Sequence, residues 1–462
     1  MKKNISAVLT AAALLSAPLI PLDNIASNSA LRSGQKNFPG IISHAASEQE
    51  ASSGTDPVIS RNVPAYSGSS TNPSFANDDK YYTFWNSSPE DYIAYDLSGV
   101  PQANRKKVIA AWYNISTYDN IGVYVSKSAE PVDYTIEVNK APGGNYPADG
   151  WVTADKVTGN GLSSRQHVVD MEGYNWIRMV VTKANGSNVS LNLDIHDISS
   201  GFADSWIFFG DSITAGGMVN AYGTSFANFV NQIDSRFFPA QENGGIGGTT
   251  SRDGKENIDK WLSTCPATYV SIAYGTNDCW GNPNNTQSYY ENTKYMIDAV
   301  LKAGKIPVLP KIPFSTNKDV GSNTGYYNAM IDKLYDEYGD KLVHGPDFDA
   351  FFRENTWGLS NDGVHPNSEG YEAMRKFWAE TMYETVYKNL PSSPDIPHSD
   401  TVKGDVNSDG LFNIADIVTA QQFLLGNGSL PCWQAGDLCE DDHFDAFDLA
   451  LMRSLFIENE LS

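Results

Sequence analysis

The sequence predicts a multidomain chain: an antiparallel β-sandwich, then an α/β layer sandwich, then a small helical module. Three observations carry that prediction. Between residues 56 and 200, short runs rich in β-branched and aromatic residues are punctuated by Gly, Asn, Asp and Pro, with no competing helical period. From 203 to 390, compact apolar runs alternate with helical stretches, the rhythm of a parallel sheet covered on both faces. From 403 to 462, an acidic loop followed by a helix occurs twice, about 32 residues apart. At 462 residues the chain is too long for one ordinary domain and fits three.

The sandwich strands are read at 92–97, 107–113, 121–125, 134–138, 176–182 and 189–198. In the α/β region, strands are read at 206–209, 268–273 and 306–309, and helices at 225–233, 289–302, 324–338 and 368–387. In such sheets the chemistry sits beyond the carboxyl ends of the strands, where Ser212 and Asn277 fall. The proline-rich stretch Pro391-Ser-Ser-Pro-Asp-Ile-Pro397 marks an extended linker at 391–402.

The flanks and the charge bound the setting. Lys2-Lys3, an apolar run at 5–19 and the small residues Ala26, Ser29 and Ala30 read as an export signal over 1–30, ending no later than about residue 45. That run is too short to span a bilayer comfortably, so a secreted, extracellular protein without a membrane partner is expected. With 32 basic against 55 acidic residues, the net charge of -23 repels nucleic acid and anionic lipid. Four cysteines are too few for a disulfide scaffold. Cys432 and Cys439 are close enough to pair. Cys265 and Cys279 bracket one strand and would be held apart by it. One bridge and two free thiols are expected.

Four blocks in the α/β region hold the parts needed to cleave an ester: Gly210-Asp211-Ser212-Ile213, residues 243–250 (NGGIGGTT), Gly275-Thr276-Asn277-Asp278 and Asp362-Gly363-Val364-His365. A serine hydroxyl is a poor nucleophile until a neighbouring base takes its proton. Ser212 follows an apolar strand in a turn flanked by Gly210 and Gly216-Gly217, and His365 is the candidate base. Asp362, three residues earlier, can bond the far imidazole nitrogen and fix its tautomer. Candidate oxyanion donors are the N–H groups of Ser212 and Gly248 and the side-chain amide of Asn277. His344 is the rival base. It has no acid three residues before it and Asp347 three after, and reads as structural. Trp280 and Trp357 lie beside the blocks as walls of a site or as packing. Each block alone is a common turn; their order on successive strand ends points to catalysis.

On these blocks, residues 205–389 resemble the SGNH (GDSL-type) hydrolase superfamily. The resemblance implies a flavodoxin-like three-layer fold and hydrolysis of O-acyl esters with no cofactor for catalysis. It assigns Ser212 as nucleophile, Gly248 and Asn277 as further oxyanion donors, and Asp362 with His365 as the Asp-x-x-His block. Neither Gly-x-Ser-x-Gly nor His-Glu-x-x-His is present, against an α/β-hydrolase elbow or a zinc peptidase.

The last module resembles a dockerin, the duplicated calcium-loop domain that docks secreted cell-wall enzymes onto cohesins of a scaffold protein. In the first loop Asp405, Asn407, Asp409, Asn413 and Asp416 occupy positions 1, 3, 5, 9 and 12, with Gly410 at the sharp turn. In the second, Asp437, Asp441, Asp445 and Asp448 fit, but Cys439 replaces an oxygen ligand and Asp442 the glycine. Ile414-Ala415 with Ile417-Val418, and Ala446-Phe447 with Leu449-Ala450, are either a docking face or helix-packing core. The first module resembles the discoidin or galactose-binding-like jelly-roll sandwiches of carbohydrate-binding modules, through 75–85 (FANDDKYYTFW) and 91–97 (DYIAYDL). It is a sugar binder or a structural lid, and Trp85 and Trp112 are stacking platforms or core.

Together these resemblances imply a secreted, monomeric, scaffold-tethered serine esterase that removes O-acetyl groups from a plant cell-wall polysaccharide such as xylan. A feruloyl or pectin acetyl esterase, a lipase or lysophospholipase, and a non-catalytic carbohydrate-binding scaffold component are the alternatives.

Overall fold

A computed structural model describes residues 57–61, 63–114, 118–120, 123–124, 129–388, 390, 403–407, 412–425, 430, 433–439 and 444–461. The export segment, the linker at 391–402, Asp409, Gly410, Cys432, Asp441 and Asp442 lie outside the described residues, and so does the Cys432–Cys439 pairing. Cys265 and Cys279 are buried free thiols, as expected.

Among the described residues the alternating first region folds as two larger antiparallel sheets and a two-stranded ladder. Its strands are β1 (Ala65–Ser67), β2 (Trp85–Ser87), β3 (Asp91–Asp96), β4 (Lys107–Tyr113), β5 (Tyr118–Asn120), β6 (Val123–Tyr124), β7 (Pro131–Asn139), β8 (Val152–Val157), β9 (Ser164–Asp170), β10 (Trp176–Ala184) and β11 (Val189–Asp197). One sheet runs β1-β3-β10-β7-β8 and the other β2-β11-β4-β9. Ile93, Ile136, Ile177 and Met179 of the first sheet meet Val108, Trp112, Leu191 and Leu193 of the second in one core. Trp85 and Trp112 are fully buried there, which settles them as core. Of the strand read at 121–125, Val123–Tyr124 forms β6, which pairs with β5; residues 121, 122 and 125 lie outside the described residues.

In the second region β12 (Ser205–Gly210), β13 (Ala240–Gly245), β14 (Tyr269–Ala273), β15 (Ile306–Lys311) and β16 (Val343–Asp347) pair in parallel throughout. Their order, β13-β12-β14-β15-β16, is a doubly wound one with its reversal between β12 and β14. Between and after them come α1 (Ser212–Gly217), α2 (Phe226–Ile233), α3 (Ser251–Leu262), α4 (Thr276–Cys279), α5 (Thr286–Lys302), α6 (Lys318–Gly321), α7 (Thr324–Tyr338), α8 (Phe348–Glu354) and α9 (Ser368–Met382). Strand β12 shows why the run had to be apolar at every position. Trp206 and Phe208 pack toward α2, α8 and α9, while Ile207 and Phe209 pack toward α3, α5 and α7.

The edge strand β13 is not left open. The β2-β11-β4-β9 sheet lies over it, and Ile109, Ala111 and Tyr113 of β4 share an apolar cluster with Ala227, Phe238 and Ala240.

The last region holds α10 (Ile414–Leu424), α11 (Trp433–Gly436) and α12 (Ala446–Leu461) around Val406, Ile417, Ala420, Leu430, Leu449 and Met452. Ile417 and Leu449 are therefore core, whereas Ile414, Val418 and Phe447 are exposed. Among the described residues no helix is long and apolar enough to cross a membrane.

Candidate active site

Ser212 opens α1 immediately beyond the end of β12, and Asn277 lies in α4 just beyond β14, so both flank the crevice where the strand order reverses. Asp211 caps α1 by accepting the N–H of Ile213 at 2.9 Å. Burial pushes the Asp211 carboxyl up to about 6, against the pull of that N–H and of nearby His365, and neighbouring Asp278 pushes it further.

His365 arrives on a short loop between Thr356–Gly358 and α9, closed by an antiparallel bridge of Leu359 with Pro366. Its Nε2 is 2.7 Å from Ser212 Oγ, and its Nδ1 is 2.6 Å from Asp362 Oδ2. The other carboxylate oxygen of Asp362 accepts from Ser360 Oγ at 2.7 Å, the Val364 N–H at 2.8 Å and the His365 N–H at 3.0 Å. Burial alone would raise this carboxyl. The hydrogen bonds from His365, Val364 and Ser360 outweigh it and hold the group well below the usual carboxylate range. Gly363 makes the loop possible. At φ +71° a side chain is strained, and a Cβ would sit 2.5 Å from Thr316 Oγ1. The Gly363 carbonyl instead accepts from Ser315 Oγ at 2.6 Å and the Thr316 N–H at 2.9 Å, which ties the His365 loop to the segment after β15.

Gly248 is exposed at φ +75° in the turn after β13. Asn277 is oriented over that turn by donating Nδ2 to the Thr249 carbonyl at 2.8 Å. Its neighbour Asp278 is buried and accepts both the N–H and hydroxyl of Ser251, at 2.9 and 2.5 Å, so α4 is pinned to the start of α3. The structure thus brings Ser212, His365 and Asp362 into one hydrogen-bonded line, and ties Asn277 to the turn carrying Gly248. His344 is elsewhere: it lies on β16 and stacks on Tyr335 with ring centroids 3.7 Å apart. The exposed tryptophans among the described residues are Trp280 and Trp357, each 45 % exposed, on the loops that carry Asn277 and His365.

Some working residues escaped the motif reading. Arg375 is 1 % exposed and donates to the carbonyls of Gly217 at 3.0 Å, Thr224 at 2.6 Å and Tyr222. It ties α9, whose start sets His365, to the end of the helix that Ser212 begins. Burial pushes its guanidinium down to about 10. The signal was present: Tyr371, Met374, Arg375, Trp378, Ala379 and Met382 recur at helical spacing, and a charge on that stripe is anomalous. Asp211 and Asp278 sat inside quoted blocks without a role.

The two loops of the last module share one pattern. Asp416 accepts the N–H of Asn407 at 3.1 Å and of Asn413 at 2.8 Å; Asp448 accepts those of Leu438, Cys439 and Asp445 at 3.0, 3.2 and 3.0 Å. Asn413 and Asp445 each bond the N–H two residues on, at 2.8 and 2.6 Å. In the second loop, donor atoms of Asp437, Cys439 and Asp448 lie within 4.8 Å of one another. Oxygen donors from Asp405, Asn407, Asn413 and Asp416 suit a hard cation such as calcium; the sulfur of Cys439 suits it less.

Residues 208–373 match the model of the GDSL-like Lipase/Acylhydrolase family. A multidomain esterase from Ruminococcus flavefaciens is 25% identical over 203 residues, which are 41% of this chain and 26% of that protein. The match thus spans about a quarter of the relative's length. Among solved structures, an acetylxylan esterase from Geobacillus stearothermophilus is similar at 21% identity and a TM-score of 0.32, covering 39% of this chain and 92% of that one. A member of the lipolytic protein G-D-S-L family from Veillonella parvula is similar at 21% and 0.33, covering 40% and 99%. Ser212, Asp362 and His365 all lie inside the segment that matches the GDSL-like Lipase/Acylhydrolase model.

Proposed function

We propose that this chain is a serine esterase that removes O-acetyl groups from a plant cell-wall polysaccharide, with acetylated xylan as the leading substrate. The line from Ser212 Oγ through His365 to Asp362, with contacts of 2.7 and 2.6 Å, carries the catalytic half of this reading. Ser212 Oγ attacks the acetyl carbonyl while His365 Nε2 takes its proton. Asp362 holds the imidazole in the required tautomer and stabilises the imidazolium. The developing oxyanion is received by the N–H groups of Ser212 and Gly248 and by the second amide hydrogen of Asn277. His365 then gives its proton to the departing sugar oxygen. Water, deprotonated by the same nitrogen, releases acetate from the acyl-enzyme.

The substrate half rests on the sequence context. A module resembling a dockerin implies a cohesin partner on a scaffold, and an export signal implies work outside the cell. Asp405, Asn407, Asp409, Asn413 and Asp416 would hold one calcium ion, and Asp437, Asp441, Asp445 and Asp448 a second. The exposed faces of Ile414, Val418 and Phe447 suit docking. The proposed modules are 1–30 for export, 56–200, 203–390, 391–402 as linker and 403–462.

Acetate release from acetylated xylan, mannan and pectin, compared with short and long aryl esters, tests the proposal. Xylan is expected to lead, and Ser212→Ala to lose nearly all turnover while remaining folded. Preference for long acyl chains, or near-wild-type activity of Ser212→Ala, overturns it.

A further inference from the structure

Asn243 opens the second of the four blocks, yet the proposed chemistry gives it no task. It lies in the edge strand β13, 6 % exposed, and its side chain is used twice. Nδ2 donates to the Ala215 carbonyl inside α1 at 2.9 Å, and Oδ1 accepts the Gly245 N–H at 3.0 Å. Gly245 lies so close to α1 that a Cβ there would sit 2.2 Å from the Ala215 nitrogen. Strand β13 is therefore pressed against the helix that Ser212 begins, and Asn243 is the clasp.

The backbone of Asn243 is held from the other module. Its N–H donates to Ser164 Oγ at 2.9 Å, and Ser164, the first residue of β9, is 4 % exposed. An outward-facing N–H of an edge strand ordinarily needs another strand or water. Here a sandwich hydroxyl fills that need. Two residues along β9, Gln166 Nε2 donates to the Trp206 carbonyl at 2.8 Å, so the same sandwich strand reaches β12, which leads into Ser212. Strand β5 also comes within 8 Å of α1 between Cα atoms.

We propose that Asn243 is a positioning residue for Ser212, held in place by Ser164, so that the sandwich is a working part of the esterase rather than a detachable binding module. The inference rests on Ser212 being the nucleophile. Asn243 touches neither substrate nor reacting atoms; it sets where α1 presents the hydroxyl. A clasp that only stabilised the fold would change melting without changing turnover by the folded enzyme.

The test uses the full chain with Ser164→Ala, Ser164→Thr, Asn243→Ala and the double alanine variant. The readouts are kcat and KM on an aryl acetate, the rate of Ser212 labelling by an organophosphonate, and Tm. Ser164→Ala and Asn243→Ala are each expected to lower kcat about tenfold with little change in KM, and to slow labelling in parallel. Ser164→Thr, which keeps the hydroxyl, is expected to recover kcat to within about twofold, and the double variant to be no worse than the worse single one. If Asn243→Ala does not fold, Ser164→Ala and Ser164→Thr still decide. Lowered Tm with unchanged kcat and labelling, or fully additive losses, overturns the proposal. An active Ser212→Ala would instead sink the nucleophile assignment, and is read in the same assay.

Discussion

Replacing Asp362 with Asn should damage the enzyme more than removing the side chain altogether. Three donors converge on Asp362 Oδ1: Ser360 Oγ, the Val364 N–H and the His365 N–H. Only the His365 ring faces Oδ2. An asparagine keeps those three bonds by placing its oxygen at the Oδ1 position, which turns its NH2 toward His365 Nδ1. The ring then accepts at Nδ1 and carries its proton on Nε2, where it cannot take the proton of Ser212. Flipping the amide to restore the tautomer sets an NH2 against the two backbone donors and gives up the bond from the half-buried Val364 N–H. A loss of about 10³–10⁴ in kcat is expected, roughly 4–5.5 kcal/mol. Asp362→Ala leaves the imidazole able to choose its tautomer, with water in the gap because the Asp362 side chain is 49% exposed. It should retain about tenfold or more of the activity that Asp362→Asn loses. Steady-state hydrolysis of an aryl acetate at pH 7–8, with Tm for each variant, measures both. An asparagine variant as active as the alanine one, or within tenfold of wild type, would falsify this account of the Asp362 network.

Three further outcomes are expected. Burial pushes the Glu242 carboxyl from its ordinary 4.5 up to about 7, opposed by Arg165, Lys305 and the Gln166 backbone. The native state therefore binds more protons than the unfolded chain between those values. Stability falls as pH rises through that window, by about 3 kcal/mol in full. Glu242→Gln should flatten the decline in calorimetric Tm from pH 5 to 8, and an unchanged slope counts against it. Trp280→Ala and Trp357→Ala should each lower the ratio of kcat/KM between acetylated xylo-oligosaccharide and aryl acetate about two- to tenfold, as expected for one lost stacking ring; a constant ratio removes them from the sugar site. Chelating calcium should melt the helices of 403–462 by circular dichroism while aryl acetate hydrolysis continues, since Ser212, Asp362 and His365 lie outside that module; a parallel loss of both would link the metal to catalysis.

What could be read from the chain divides along a physical line. In the two larger sheets of the first region the strands found from pattern, β3, β4, β7, β10 and β11, are all central, and those missed, β1, β2, β8 and β9, are the four edges. In the parallel sheet β12, β14 and β15 are legible, the edge β16 shows as a strand-like run from His344 to Asp347, and the edge β13 is not read. A central strand buries side chains against neighbours on each side, so its sequence is forced to be apolar. An edge strand such as β8, exposed at most positions, carries no such demand. The catalytic groups were legible for the opposite reason. Ser212, Asp362 and His365 each depend on a short local turn, and a turn leaves a mark in a few consecutive residues. Arg375 and Ser164 act across 158 and 79 residues of chain, and such contacts leave no local pattern.

Strand β13 stands outside both cases. Its sequence, Ala240-Gln-Glu-Asn-Gly-Gly245, has almost no apolar character, yet all six positions are buried. Burying such a strand is costly unless each polar group finds a partner. The partners come from the sandwich and from α1: Ser164 for the Asn243 N–H, Ala215 for its amide, and the Asn220 side chain for that of Gln241. A polar strand covered by a second module ties the stability of each module to the other. An α/β segment cut out at residue 203 would expose Gln241, Glu242 and Asn243 together with the apolar cluster around Phe238 and Ala240. It should therefore be insoluble or inactive when expressed alone, whereas truncation at 390 crosses no such surface among the described residues and should leave hydrolysis intact. A soluble, fully active fragment beginning at residue 203 would show that the sandwich is an accessory after all.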